Sequence, residues 1–287
     1  MRGCVPEYEL IAPASLAEAL QLLHAESGAW RPIAGGTDLM VVYESGRLPF
    51  HKLMSIWKIP ELRGINVSAD AVSIGAVTTY THIRRHPVLQ SDFPLLCQAA
   101  SWTGSIANQN RGTLGGNIVN ASPAADSPPA LIVYDAELEL ISRRGIRTIS
   151  LDQFYTGYKK LQLAPDELLY RIRLPRNGTA LNQYSRKVGT RKAQAISKVC
   201  LAARATMDKG AISEIRIALG SVAPTVLRCR QTEDVLLRRK LDPIAIQDAK
   251  AALLQEIAPI ADIRSTADYR QRVTLNLLDE FLHGLLL

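Results

Sequence analysis

The sequence predicts an α+β chain in two parts, 1–176 and 177–287. Three observations carry that prediction. The first part mixes short alternating strands with helical stretches, Asn177-Gly178 punctuates the chain just after a strand that stops at Pro175, and the second part reads as strands followed only by helices. With 47% hydrophobic and 21% charged residues over 287 positions, the chain has the composition of a globular protein able to bury a large core.

Taken in order, Ser15 and Glu18 form a capping box ahead of Leu16, Ala19, Leu20 and Leu23, which repeat at helical spacing until Gly28. Arg31 to Ala34 reads as a short strand entering a glycine loop. Thr37 then caps a helix through Tyr43 that stops at Gly46, and 51–57 is another strand, so that a first subdomain closes near 57. Residues 65–76 alternate as a hairpin around Ser68-Ala69-Asp70. Helices are expected at 80–86 and 93–103, the second with Leu95, Leu96, Ala99 and Ala100 on one face. Pro128-Pro129 suits the start of a short helix to Tyr134, because proline is tolerated where the N–H has no intrahelical partner. Residues 137–142 and 147–151 flank Arg143-Arg144-Gly145 as a hairpin, and 168–174 is the strand that Pro175 ends.

In the second part, strands are expected near 182–188, 197–207 and 211–221, the last two joined through Asp208-Lys209-Gly210. Helices follow at 232–240, 243–257 and 267–286, the last with Val273, Leu277, Leu278, Phe281 and Leu285 on one side. There is no internal repeat.

Chemistry concentrates in two glycine pairs. Ala34-Gly35-Gly36-Thr37-Asp38 lies near the N-terminus, and Thr113-Leu114-Gly115-Gly116-Asn117 is followed closely by Ala121-Ser122-Pro123-Ala124-Ala125-Asp126. A residue without Cβ lets the main chain approach a ligand closely and adopt positive φ, exposing consecutive N–H groups to one anion. Thr37 and Thr113 add hydroxyls, Asn117 an amide, and Asp126 an acceptor suited to sugar hydroxyls. Phosphates and hydroxyls on one ligand would satisfy this set, as in a dinucleotide. Neither segment is Gly-x-Gly-x-x-Gly or Gly-x-x-x-x-Gly-Lys-Ser/Thr, which disfavours a Rossmann site and a phosphate-loop NTPase.

Cys4, Cys97, Cys200 and Cys229 form no C-x-x-C pair, and His24, His51, His82, His86 and His283 form no metal box, so no metal site is expected. No apolar run is long enough to span a membrane, and residues 1–7 lack the apolar core of a signal peptide, which makes a cytoplasmic protein the expectation. The net charge of +7 is uneven: residues 170–240 hold 16 Lys or Arg against 4 Asp or Glu, a balance of +12, leaving −5 for the remainder. Such asymmetry suggests a basic face for an acidic partner or for a soluble dinucleotide. Nucleic acid is disfavoured, because aromatics are few and no DNA- or RNA-binding signature accompanies the basic residues.

Four segments in order carry a resemblance. Ala34 to Leu39, Asn110 to Asn117, Ala121 to Asp126, and Phe154-Tyr155-Thr156-Gly157-Tyr158-Lys159-Lys160 resemble the FAD-binding subunit of molybdenum hydroxylases, especially xanthine dehydrogenase. The resemblance implies a vanillyl-alcohol-oxidase-type FAD domain followed by a domain with a three-stranded antiparallel sheet and a three-helix bundle. It carries FAD contacts onto Arg31, Pro32, Ile33, Ala34, Gly35, Gly36, Thr37, Asp38 and Leu39, and onto Thr113, Gly116, Asn117 and Val119. Ala125 and Asp126 are implied near the ribityl chain and diphosphate, Leu169 and Lys187 near the isoalloxazine. By the resemblance, eukaryotic relatives place an aromatic beside the flavin where this chain has Thr103, with Trp102 adjacent.

The implied task is electron transfer, with no side chain of this chain as acid, base or nucleophile. A partner subunit would hold the molybdenum cofactor, an iron-sulfur subunit would hold 2Fe-2S clusters, and NAD or another soluble acceptor would take the electrons. Nicotinate, aldehyde and carbon monoxide dehydrogenases use similar flavin subunits and stay open as alternatives. A standalone FAD-dependent oxidase and a nonredox dinucleotide-binding module are less favoured, since no catalytic constellation accompanies the motifs.

Overall fold

The computed structural model describes residues 7–176, 182–192 and 194–286. The break expected at Asn177-Gly178 lies outside the described residues.

Strand β1 (Glu9–Ile11), helix α1 (Leu16–Ala25), strand β2 (Trp30–Ile33), helix α2 (Leu39–Glu44) and strand β3 (Lys52–Ser55) come first. The strands form a parallel sheet in the order β1-β3-β2, which requires the helices as crossovers. Ser15 Oγ accepts from the Glu18 N–H at 3.2 Å while the Glu18 carboxylate accepts from the Ala14 N–H at 2.7 Å, so the predicted cap forms one residue wider than the usual box. Leu16, Ala19, Leu20 and Leu23 bury against Trp30, Met54, Ile59 and Leu62 in a small core. The helix expected from Thr37 starts instead at Asp38, which caps it without a side-chain hydrogen bond.

Strands β4 (Ile65–Val67) and β5 (Ala71–Gly75) form the expected hairpin, and six short helices follow: α3 (Tyr80–Arg85), α4 (Pro87–Asp92), α5 (Pro94–Trp102), α6 (Ile106–Arg111), α7 (Leu114–Val119) and α8 (Ser127–Val133). Strands β6 (Glu137–Ser142) and β7 (Gly145–Ser150), helix α9 (Leu151–Phe154), the ribbon β8 (Tyr155–Gly157) with β9 (Lys160–Leu161), and β10 (Leu168–Pro175) complete this half. The antiparallel sheet runs β4-β5-β10-β6-β7, with Val72, Ile74, Leu138, Leu140, Ile172 and Leu174 in one core with the buried faces of α5, α7 and α8.

The remainder comprises β11 (Asn182–Val188), β12 (Val199–Asp208), β13 (Ala211–Gly220), a two-residue strand β14 (Leu227–Arg228), and helices α10 (Arg230–Leu236), α11 (Pro243–Glu256) and α12 (Ala267–Gly284). The three expected strands are joined by β14 at the β13 edge. Residues Val199–Ala205 of β12 are buried without alternation because both faces are covered. Leu201, Ala203, Ile217 and Leu219 pack on α11 and α12, while Ala202 and Ala218 face the first core, where α8 lies.

Charge reinforces that contact. Asp135, after α8, accepts from Arg228 at 2.8 Å and from Arg216 at 3.2 Å, and Arg228 also meets Glu233 at 3.1 Å. Arg230 pairs with Asp152 of α9. The basic excess in 170–240 is thus largely matched by carboxylates: Arg173 meets Asp70 and Glu137, Arg176 meets Asp92, and Arg186 meets Glu280. Asp135 sits at φ +51, a conformation that asparagine tolerates. Asp135→Asn is therefore expected to remove charge without new backbone strain, lowering the urea midpoint with an unchanged m-value. The loss should be about 1.5–3 kcal/mol, the range for a hydrogen bond to a charged group.

Candidate functional site

The two glycine segments meet in space. A Cβ on Gly35 would overlap the Arg111 carbonyl at the end of α6, so only glycine lets the first segment lie on the second. Gly36 takes φ +76 and its carbonyl accepts from the Met40 N–H at 2.9 Å, which turns the chain into α2. Thr37 and Asp38 are exposed beside this joint.

The second segment is not the open loop that the sequence suggests. Residues 112–115 run along 76–80, with Leu114 N donating to Thr78 O at 3.0 Å and Gly115 N to Ala76 O at 2.9 Å. Thr113 then caps α7 through Oγ1, which accepts from Gly116 N at 3.1 Å, so its hydroxyl oxygen is already engaged. A Cβ on Gly115 would stand 2.6 Å from Ala76, and neither Gly115 nor Gly116 has positive φ. Their absent side chains thus serve close packing rather than a nest of N–H groups. On the next turn the Asn117 Oδ1 atom is buried without a hydrogen-bond partner. Val119 is half-buried against the first core.

Two cations stand nearby without a carboxylate partner among the described residues. Arg31, on β2, lies 4.9 Å over the Phe50 ring, and burial holds its guanidinium below the usual arginine range. Lys159 donates to the Asn120 carbonyl and side-chain oxygens at 2.7 and 2.9 Å, at the C-terminal end of α7. Burial lowers its pKa, with Arg31 adding repulsion and Asp38 opposing, which places all three within electrostatic reach. Pro32, Ile33, Ala34 and Leu39 flank this cluster as partly buried residues.

At the other end, Asp126 and Lys187 form a buried ion pair of 2.5 Å, their side chains 9% and 10% exposed. Asp126 also accepts from Ser197 Oγ at 2.5 Å, and Lys187 donates to the Trp102 carbonyl at 3.2 Å. Burial pushes the Asp126 carboxyl above the usual carboxylate range, with Lys187 and Ser197 opposing. An exposed strand position for Lys187 is excluded. Thr103 Oγ1 turns inward to the Ala99 carbonyl at 3.0 Å, and Trp102 is partly exposed. Ala125 is buried, its carbonyl 3.5 Å from where a Gly220 Cβ would stand. Leu169 is buried in the core beside a β-bulge in the β6–β10 pairing.

Sequence reasoning quoted Lys159 within the 154–160 segment without assigning it a role, and it gave Ser197 none. Positive φ at Lys159, in the turn joining β8 to β9, is what aims its side chain back toward α7, and the Gly157-Tyr158-Lys159-Lys160 turn was the available signal. For Ser197, nothing local in the sequence reveals a partner 71 residues away.

The α+β scaffold thus joins the two glycine segments, with Arg31 and Lys159 beside the first and the buried Asp126–Lys187 pair following the second. Comparison with known proteins specifies the class. Residues 6–177 match the family described as the FAD binding domain in molybdopterin dehydrogenase, and 184–285 match the CO dehydrogenase flavoprotein C-terminal domain. The putative xanthine dehydrogenase FAD-binding subunit XdhB of Escherichia coli K12 is 34% identical, over 90% of this chain and 88% of that protein. The carbon monoxide dehydrogenase medium chain of Hydrogenophaga pseudoflava is 33% identical, over 92% of each. A solved structure of carbon monoxide dehydrogenase from that organism, lacking the Mo-pyranopterin moiety, superposes with a TM-score of 0.93 at 31% identity, covering 98% of this chain and 97% of the other. The chain belongs to the FAD-binding medium subunits of the molybdenum hydroxylase family, the flavoprotein components of multi-subunit oxidoreductases. No helix among the described residues is long and apolar enough to cross a membrane.

The Gly35 contact gives a direct test. Gly35→Ala is expected to force the two segments apart, lowering the melting temperature by an amount corresponding to roughly 1–3 kcal/mol of overpacking. A melting curve superimposable on that of the parent would remove the joint from the description of the site.

Proposed function

We propose that this chain carries FAD between its two glycine segments and passes electrons from an iron-sulfur subunit to a soluble acceptor, within a xanthine dehydrogenase-like complex whose third subunit bears the molybdenum cofactor. The observation that carries the reading is the joint of Gly35 on Arg111, which fuses two motif segments into one cradle. The residues present suit the cofactor: Arg31 and Lys159 supply positive charge for a diphosphate, and the unpartnered Asn117 Oδ1 supplies an acceptor for a hydroxyl. Arg31 to Leu39, Thr113, Gly116, Asn117, Val119, Ala125 and Asp126 would hold it, with Leu169 and Lys187 toward the ring. Residues 1–176 would be the FAD domain, divided near 57, and 177–287 the second domain.

When bound, FAD supplies an acceptor of two electrons able to exchange them singly, and the chain binds, orients and tunes it. Lys187 keeps a cation buried at the site, but Asp126 counters it at 2.5 Å, so the pair presents a dipole rather than a full charge. The family's relatives include carbon monoxide and glyceraldehyde dehydrogenase medium chains. Identities of 34% to the XdhB protein and 33% to a carbon monoxide dehydrogenase medium chain do not separate the substrate classes, so xanthine, and NAD as acceptor, rest on the resemblance of the 154–160 segment. Arg191 and Lys192 are exposed in the segment between β11 and β12, a place suited to a phosphorylated acceptor.

The first measurement is uptake of FAD by the purified chain, seen as a yellow holoprotein with raised melting temperature. A well-folded chain that takes up none sinks the proposal. In the purified complex, xanthine should bleach the flavin and NAD should restore its colour, whereas bleaching by carbon monoxide or an aldehyde alone would reassign the substrate. Lys192→Glu is expected to raise the KM for NAD severalfold with little change in kcat, and unchanged kinetics would move the acceptor elsewhere.

A further inference from the structure

Behind Asp126 and Lys187 lies a set of polar groups that cofactor contact does not require. Ser221 occupies the left-handed region at φ +70, a conformation costly for serine. Three of its groups are tied. Its N–H donates to Pro123 O at 2.8 Å, its hydroxyl to Ser197 O at 3.0 Å, and its carbonyl accepts from Arg270 Nη1 at 2.9 Å. Pro123 belongs to the segment that ends in Asp126, and Ser197 Oγ is the donor to Asp126 itself. Arg270, 3% exposed, also donates from Nη1 to the Lys198 carbonyl at 2.9 Å and from Nη2 to Asp262 at 2.8 Å.

We infer that Ser197, Ser221 and Arg270 are positioning residues, which hold the Asp126–Lys187 pair in register with the cofactor cradle. The inference rests on the FAD reading above. Its physical basis is that a buried carboxylate with one neutral donor and one cation has its orientation set by where those donors are held. Ser197 is the neutral donor, and its backbone is pinned on one side by the Ser221 hydroxyl and on the other through the Lys198 carbonyl by Arg270. Arg270 in turn is anchored by Asp262, and its own carbonyl accepts from Thr274 Oγ1 at 2.7 Å. The strained serine fits this role, since its twisted backbone aims N–H, hydroxyl and carbonyl at three different segments. A merely structural tie would stabilise the fold without regard to what Asp126 faces.

The experiment uses the FAD-loaded chain and three variants. Ser197→Ala is expected to raise the FAD dissociation constant roughly fivefold to thirtyfold and to shift the visible flavin band, while Ser197→Thr restores both. Ser221→Gly relieves the backbone strain, so it should fold at least as well as the parent yet bind FAD more weakly with a shifted flavin band. Arg270→Lys should move binding and spectrum the same way. Arg186→Gln, which breaks an exposed pair between β11 and α12, is the control and should leave binding and spectrum alone. Parental affinity and spectrum in both Ser197→Ala and Ser221→Gly would overturn the inference. If the parent itself takes up no FAD, the underlying reading fails and the inference with it; if the parent binds and the variants match it, the reading survives and only the inference falls.

Discussion

Asp126 and Lys187 face each other at 2.5 Å with little solvent on either, and the two come from opposite halves of the fold. Removing such ions from water costs several kcal/mol each in real proteins, an expense that only close pairing and further hydrogen bonds offset. Both conditions are met. Ser197 completes the carboxylate and the Trp102 carbonyl takes a second ammonium proton, so that the start of α8, the end of α5 and strand β11 converge on one point. The pair therefore depends on the seating of the second half against the first. A fold that let these halves slide would leave a buried charge alone.

Close contact is also made where side chains are missing, within the first half and across the seam. Gly35 rests on Arg111, Gly115 on Ala76, and a Cβ at Gly220 would come within 3.3 Å of Pro123 O. At each place main chain meets main chain or a methyl group, which gives rigid contact without rotamer freedom to lose. Ala202 and Ala218 extend this logic into β12 and β13, where small side chains let α8 lie close over the sheet. The cradle is thus defined mostly by backbone, and the few polar side chains in it are supported from behind. Preorganisation of this kind suits a chain whose contribution is to hold and tune a redox group rather than to exchange protons with a substrate.

Much of this was legible in the sequence, for identifiable reasons. Strands 182–188 and 211–221 and helix 243–257 emerged within a residue or so because their period and punctuation agree with their burial. Helices α4, α6 and α7 were missed. Each has only six residues, too few for a 3.6-residue period to show, and in α7 the Gly-Gly pair argues locally for a turn while the Thr113 cap and the contact with Ala76 impose a helix. The motif residues were found, but their partnerships were not. Asp126 reads as a sugar-hydroxyl acceptor and Lys187 as a cation beside the ring, not as partners, because a pairing across 61 residues leaves no local trace.

Charge shows the limit of composition most clearly. The excess of +12 in residues 170–240 suggests a basic face, yet Arg173 and Arg176 pair within the first half and Lys187, Arg216, Arg228 and Arg230 of the second half each meet a carboxylate contributed by the first. Part of the asymmetry along the chain is therefore used where its two halves meet. Those cross-half partners sit at separations of 61 to 93 residues, so part of an unequal linear distribution of charge is offset once folded. Arg31 and Lys159, by the first glycine segment, are among the cations without a carboxylate partner within hydrogen-bond reach among the described residues, and Asp38 offsets Lys159 only through space. Arg31 is partly buried and Lys159 carries a desolvation penalty that Asp38 offsets only in part, an arrangement that an anionic ligand would relieve further.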